Sequence, residues 1–132
     1  MRVLQPAGWA RPKGYSNGIE AWGRTVFVAG LIGWNSEEKF EASDFAGQFE
    51  QLLRNLVAIL AEANAGPEHV VRLTWYITDK QAYLSDAQRV GEIYRSIMGR
   101  SFPVMAVVQV VALMEDDALV EIEATAVIPD EA

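Results

Sequence analysis

The chain has 132 residues, with 11 basic against 18 acidic side chains, a net charge of −7, and no cysteine. That length fits a single core, so residues 1–132 are read as one domain, and the missing cysteines exclude disulfides, thiol nucleophiles and Cys-ligated zinc. A lone imidazole, His69, leaves no multi-histidine metal site or serine-histidine device, and the acidic balance argues against a phosphate-backbone binder, which needs clustered Lys and Arg. Pro6 interrupts the N-terminus before any signal-peptide core, and no apolar run reaches membrane-spanning length, so a soluble, cytoplasmic chain is expected. Apolar residues make up 51% of the sequence and charged ones 22%. That is rich for a small monomer and points to apolar surface shared between subunits of a homo-oligomer.

Residues 8–18 hold three glycines, a proline and little periodicity, which predicts an irregular lead-in. Segments 19–22 and 25–30 flank Gly23-Arg24 and predict a β-hairpin about a tight turn. A polar loop over 35–42 leads to Ser43-Asp44, a good cap for the helix that follows. Phe45, Phe49, Leu52, Leu53, Leu56, Val57, Leu60 and Ala63 recur at spacings of three and four and share one helix face, which Asn64-Ala65-Gly66-Pro67 terminates.

In segment 70–78, Val71, Leu73, Trp75 and Ile77 alternate with more polar neighbours, predicting a strand with one face on that helix. Thr78-Asp79 starts a second helix, on which Tyr83, Ala87, Val90, Ile93, Tyr94 and Ile97 keep helical spacing up to Gly99. Segments 104–113 and 119–127 about the acidic turn Glu115-Asp116-Asp117 predict a second hairpin, its first strand apolar enough to be buried on both faces. The order ββ, α, β, α, ββ makes the class α+β, with two helices on one face of a mixed six-stranded sheet. The other face needs a cover, and another subunit is the obvious candidate.

Few residues offer chemistry. Gly30 and Gly33 bracket the end of a strand without dinucleotide or P-loop spacing, so a tight strand exit is favoured over a phosphate cradle, although a glycine N–H can still serve a ligand. Glu121 and Glu123 stand two apart on a strand and share a face, which fits acid-base work or a solvated edge equally. Tyr15 sits in a glycine-flanked loop where its hydroxyl could reach a ligand or the ring could simply pack. His69 reads as a turn residue, the four tryptophans Trp9, Trp22, Trp34 and Trp75 as core or interface, and the acidic turn as solvated, with no metal site.

Together, Tyr15-Ser16, the segments 26–32 and 60–65, the strand 70–79 and the closing Val120-Glu121-Ile122-Glu123-Ala124-Thr125-Ala126-Val127 resemble the YjgF/Rid family of enamine/imine deaminases over nearly the whole chain. The resemblance implies a chorismate-mutase-like subunit forming a homotrimer, with the sheets making a central barrel and small-metabolite clefts between subunits. No cofactor is expected, and the charge and hydropathy above predict no nucleic-acid or membrane partner. In deaminating members an arginine shortly after a proline grips the substrate carboxylate while a glutamate near the last strand holds the attacking water.

The glutamate corresponds to Glu121 and the loop tyrosine to Tyr15, with Gly30 among the substrate-binding positions. The arginine's position after Pro103 is occupied by Met105, which has no N–H fork. Ala29, Leu31 and Val107 stand where the family has polar or thiol residues, so every departure makes the cleft more apolar. The resemblance implies a hydrolase of the deaminase type with a differently anchored substrate. The alternative is a non-catalytic trimer that binds a small metabolite or a partner. The family has also been described as nucleolytic, which one histidine and a charge of −7 do little to support.

Overall fold

A computed structural model describes residues 1–130. Its elements run β1 (Arg2–Leu4), β2 (Gly18–Glu20), β3 (Arg24–Ile32), α1 (Phe45–Ala61), a 3-10 turn at Pro67–His69, β4 (Val70–Ile77), α2 (Lys80–Ser85), α3 (Ala87–Met98), β5 (Val104–Gln109) and β6 (Val120–Ile128). The α+β class holds. Among the described residues no helix is long and apolar enough to cross a membrane.

The apolar stripe of α1 is buried as its spacing demands: Phe49, Leu52, Leu53 and Leu60 are fully enclosed and Leu56 nearly so. The helix ends at Ala61, and Asn64 takes the left-handed conformation (φ 55°) that lets the Ala65 N–H return to the Leu60 carbonyl at 3.0 Å. At the other end Asp44 occupies the cap position, but its carboxylate makes no capping bond and instead pairs with Arg89 at 3.0 Å. The expected second helix is two. Asp86 leaves the helical region (φ −116°, ψ 19°) and separates α2 from α3, while the Asp79 carboxylate caps α2 by accepting from the Gln81 and Ala82 N–H groups. Ser85-Asp86 is a weak pair for a helix interior and a good one for a boundary.

Neither predicted hairpin forms, and the six strands make two sheets. The main sheet has the order β3-β6-β4-β5, while β1 and β2 pair separately. β3 takes β6 as its antiparallel partner from Arg24↔Ile128 to Ile32↔Glu121. A three-residue β2 offers no comparable ladder. Gly23 (φ +140°) folds against the end of β6, where a side chain would strike the Ile128 carbonyl. β5 pairs in parallel with β4 through the α2–α3 crossover, so β6 is central, lying between β3 and β4. β5 is thus an edge strand, and its residues 106–109 are exposed in the single chain, contrary to the burial on both faces expected for it.

Val120, Ile122, Ala124 and Ala126 of β6 and Leu73, Trp75 and Ile77 of β4 face the helices and are buried. Among the described residues the opposite face is covered by no helix. Phe27 projects from it at 80% exposure and Val108 at 42%.

Gln48 is the one fully buried polar side chain on the α1 stripe. Its amide donates to the Ala42 and Asp117 carbonyls at 3.2 and 2.9 Å and accepts from the Leu119 N–H at 2.8 Å, tying both loops that flank the sheet's end to α1. Gln48→Leu keeps the volume but orphans those backbone groups. It should cost roughly 2–4 kcal/mol, read as a lower melting temperature, and an unchanged one would refute the tie.

Candidate functional site

A β-bulge between Val28 and Leu31 interrupts the β3–β6 ladder at Ala29 and Gly30. A Cβ at Gly30 would lie 2.5 Å from Glu121 Oε2. The absent side chain therefore gives the Glu121 carboxylate its place over the glycine backbone. Leu31 is next along the strand, half-buried and packed against the core. Gly33 belongs to a different feature: its Cβ would sit 2.3 Å from the Gln48 carbonyl, so it is the close approach between strand exit and helix.

Glu121 and Glu123 share the open face of the sheet, as their spacing requires. Their surroundings differ. Glu123 accepts a hydrogen bond from the Tyr76 hydroxyl at 2.9 Å, whereas Glu121 is half-buried and has no hydrogen-bond partner among the described residues. The bond to Glu123, followed by desolvation and the charges of Glu123 and Glu121, raises the Tyr76 hydroxyl above the ordinary tyrosine value. The folded state thus favours protonated Tyr76. Its contribution is present below pH ~10 and is lost as pH rises through the raised value.

Tyr15, Met105 and Val107 gather elsewhere. The Ser16 N–H donates to the Pro103 carbonyl at 3.0 Å and the Ser16 hydroxyl donates to the Phe102 carbonyl, so the N-terminal loop is stitched to the start of β5 and Tyr15 is set beside Met105. Met105 and Val107 pair with Leu73 and Trp75 and so face the helix side. With Tyr15 they line a cleft of about 540 Å³ between β5 and the helices α2 and α3. Tyr94 lines the same cleft, its hydroxyl donating to the Ser101 carbonyl at 3.0 Å and its ionisation pushed well up by burial.

The six candidate residues thus form two groups. Gly30 lies on edge strand β3 with Glu121 beside it on β6, and Met105 and Val107 lie on the opposite edge, β5. Three strand spacings separate the edges, roughly 14 Å, and the Glu121 carboxylate is on the other face of the sheet from Met105. No small molecule can touch both groups in one chain.

The remaining candidates stay structural. His69 Nδ1 accepts from the Gly66 N–H at 3.0 Å and stands 3.6 Å from Glu68, so the ring belongs to the turn. Trp75 packs on Phe49 with ring centroids 4.8 Å apart, Trp34 lies against Phe40, and Trp9 and Trp22 are exposed, so the tryptophans form no common wall. The acidic turn lies between β5 and β6. The residue that sequence reasoning missed is Arg95 of α3, which lines the same cleft as Met105. Its position four residues after Gly91 and eight after Ala87, both on the cleft side, is the signal that could have found it.

A family model described as Endoribonuclease L-PSP matches residues 9–128. The RutC family protein UK114 of Drosophila melanogaster is 32% identical over 126 residues, which cover 95% of this chain and 88% of the relative. The 2-iminobutanoate/2-iminopropanoate deaminase of Homo sapiens is 32% identical over 105 residues, covering 79% of this chain and 73% of the relative. Among solved structures, the Rid family protein YyfB from Yersinia pestis superposes with a TM-score of 0.85 at 31% identity, covering 96% of this chain and 98% of that one. E. coli TdcF with bound serine superposes at 0.68 with 27% identity, covering 97% and 99%.

Proposed function

Because the chain belongs to the YjgF/Rid family, we propose that it works as a homotrimer that hydrolyses an enamine or imine of a small metabolite, at a cleft to which two copies contribute. The separation of the two residue groups supports this reading above all else. Glu121 with Gly30 on one sheet edge and Tyr15 with Met105 and Val107 on the other are each half of a site, and seating the open face beside β3 of one copy against the β5 edge of the next completes it. The exposed Phe27 and Val108 of that face favour such packing.

In the reaction, the Glu121 carboxylate accepts a proton from water as the water oxygen bonds to the C=N carbon. The proton passes to nitrogen to give a carbinolamine, and Glu121 then takes the hydroxyl proton and delivers it to nitrogen as the C–N bond breaks, so that ammonia and a carbonyl compound leave. An enamine substrate first takes a proton on carbon to become the imine. The Gly30 N–H orients the substrate, the Tyr15 hydroxyl hydrogen-bonds it at the mouth of the cleft, and Leu31, Met105 and Val107 contact its apolar part. His69 accepts from the Gly66 N–H of its turn and the charge is −7, which gives a nuclease reading little support.

Met105 in place of an arginine weakens turnover of short 2-imino acids, since a carboxylate without its guanidinium partner loses about 2–5 kcal/mol. Met105→Arg should therefore raise hydrolysis of 2-iminopropanoate, generated from alanine by an amino-acid oxidase, and the gain should vanish when Glu121→Ala is added. A folded Met105→Arg protein with no turnover would contradict the enzyme reading and leave a trimeric binding module.

A further inference from the structure

The cleft beside Met105 is unusual for an acid-rich chain, because two cations line it and neither is neutralised. Lys13 and Arg95 form no ion pair among the described residues, whereas the cleft's walls are built from Tyr83, Tyr94, Phe102 and Val107 over a floor of Trp75. The Arg95 guanidinium lies back over Gly91 along α3, next to the cleft, with Nη1 3.4 Å from where a Cβ at Gly91 would stand. Trp75, itself only 3% exposed, supplies a second observation: its Nε1–H is the buried side-chain donor left without a partner among the described residues.

We propose that Arg95 is the anion anchor of this cleft, standing in for the fork that Met105 cannot provide, and that the ligand is a carboxylate carrying an aromatic or branched apolar body. The inference rests on reading the cleft as the substrate site. Tyr83, Tyr94 and Phe102 line the cleft, so a ring finds aromatic contacts there that a three- or four-carbon acid cannot make. A guanidinium pairs with a carboxylate through parallel N–H bonds, and Lys13 on the loop side adds a second positive charge. Specificity then comes from the apolar walls and orientation from a cation on the helix instead of the strand.

Calorimetric titration of the assembled protein with phenylacetate, phenylacetamide and acetate tests this without requiring turnover. Phenylacetate should bind on the order of tenfold tighter than its neutral amide, about 1.4 kcal/mol, and tighter than acetate by more. Arg95→Ala should reduce phenylacetate to the level of the amide and leave the amide unchanged. Arg95→Lys should retain part of the difference, and Arg100→Ala, outside the cleft, should retain all of it. Equal binding of acid and amide, an Arg95→Ala protein that binds phenylacetate like wild type, or no binding of phenylacetate would overturn the anchor. The two readings fail separately. Phenylacetate binding that depends on Arg95 in a protein without imine hydrolysis would remove the deaminase and keep the anchor, and hydrolysis indifferent to Arg95→Ala would do the reverse.

Discussion

Val108→Asp should leave each chain folded and abolish the assembly. Val108 lies on the uncovered face of the edge strand β5 and is 42% exposed in a single chain, so a carboxylate there meets water if the chain stands alone. In a trimer closed over that face the same carboxylate is buried without a partner, which costs roughly 3–5 kcal/mol at each repeat of the interface. Three copies multiply the effect. Light scattering on the purified protein should move from a trimer mass for wild type to a monomer mass or to insoluble protein for the variant. A wild-type monomer in dilute neutral buffer, or a Val108→Asp protein with an unaltered oligomer mass, would count against the proposed assembly.

The second large effect is on chemistry. Glu121→Ala should lower imine hydrolysis about 10²–10⁴-fold, the range in which a positioned general base contributes, with little change in melting temperature. Its carboxylate is half-buried, holds no hydrogen bond among the described residues and sits over a glycine backbone that leaves room for it. Nothing in the fold depends on it. Glu123→Ala is the matched control, because Glu123 is occupied by the Tyr76 hydroxyl at 2.9 Å; its loss should remove the largest cause of the raised Tyr76 value, bringing it back toward the ordinary one, and spare the rate. Comparable rates for Glu121→Ala and wild type would remove Glu121 from the mechanism.

What could be read from the sequence follows from which interactions are local. The α1 stripe and the alternation in β4 are set by spacings within one element, and both appear except at their ends: α1 stops at Ala61, short of Ala63, and a register shift between Val70 and Arg72 buries Val70 in place of Val71. The loss of the hairpins has the opposite cause. Segments 19–22 and 25–30 look like partners because they are adjacent, yet the longer ladder for β3 is about a hundred residues away in β6, and the strand in 104–109 turns to β4 because a helical crossover carries it there. Apolar content in β5 was legible but its edge position was not, since an apolar edge strand and an apolar strand covered within the chain have the same composition. Gln48 had a signal, a polar residue on the stripe of Phe45, Leu52 and Leu56, and it marks a buried tie to two loops. Of the site, each residue's type could be read from the family pattern, whereas their division between opposite sheet edges is a property of strand order. Arg95 lay outside the pattern altogether.

The account turns on two copies presenting Gly30 with Glu121 and Met105 with Val107 to one another, and the absence of native cysteine allows a clean measurement of it. Chains carrying Ala29→Cys or Val107→Cys are co-expressed and treated with a short bis-maleimide, then resolved under denaturing conditions. The account predicts a covalent two-chain band in the co-expressed mixture and none in either variant alone. No band in the mixture, or equal bands in the single variants, would contradict a site shared between copies.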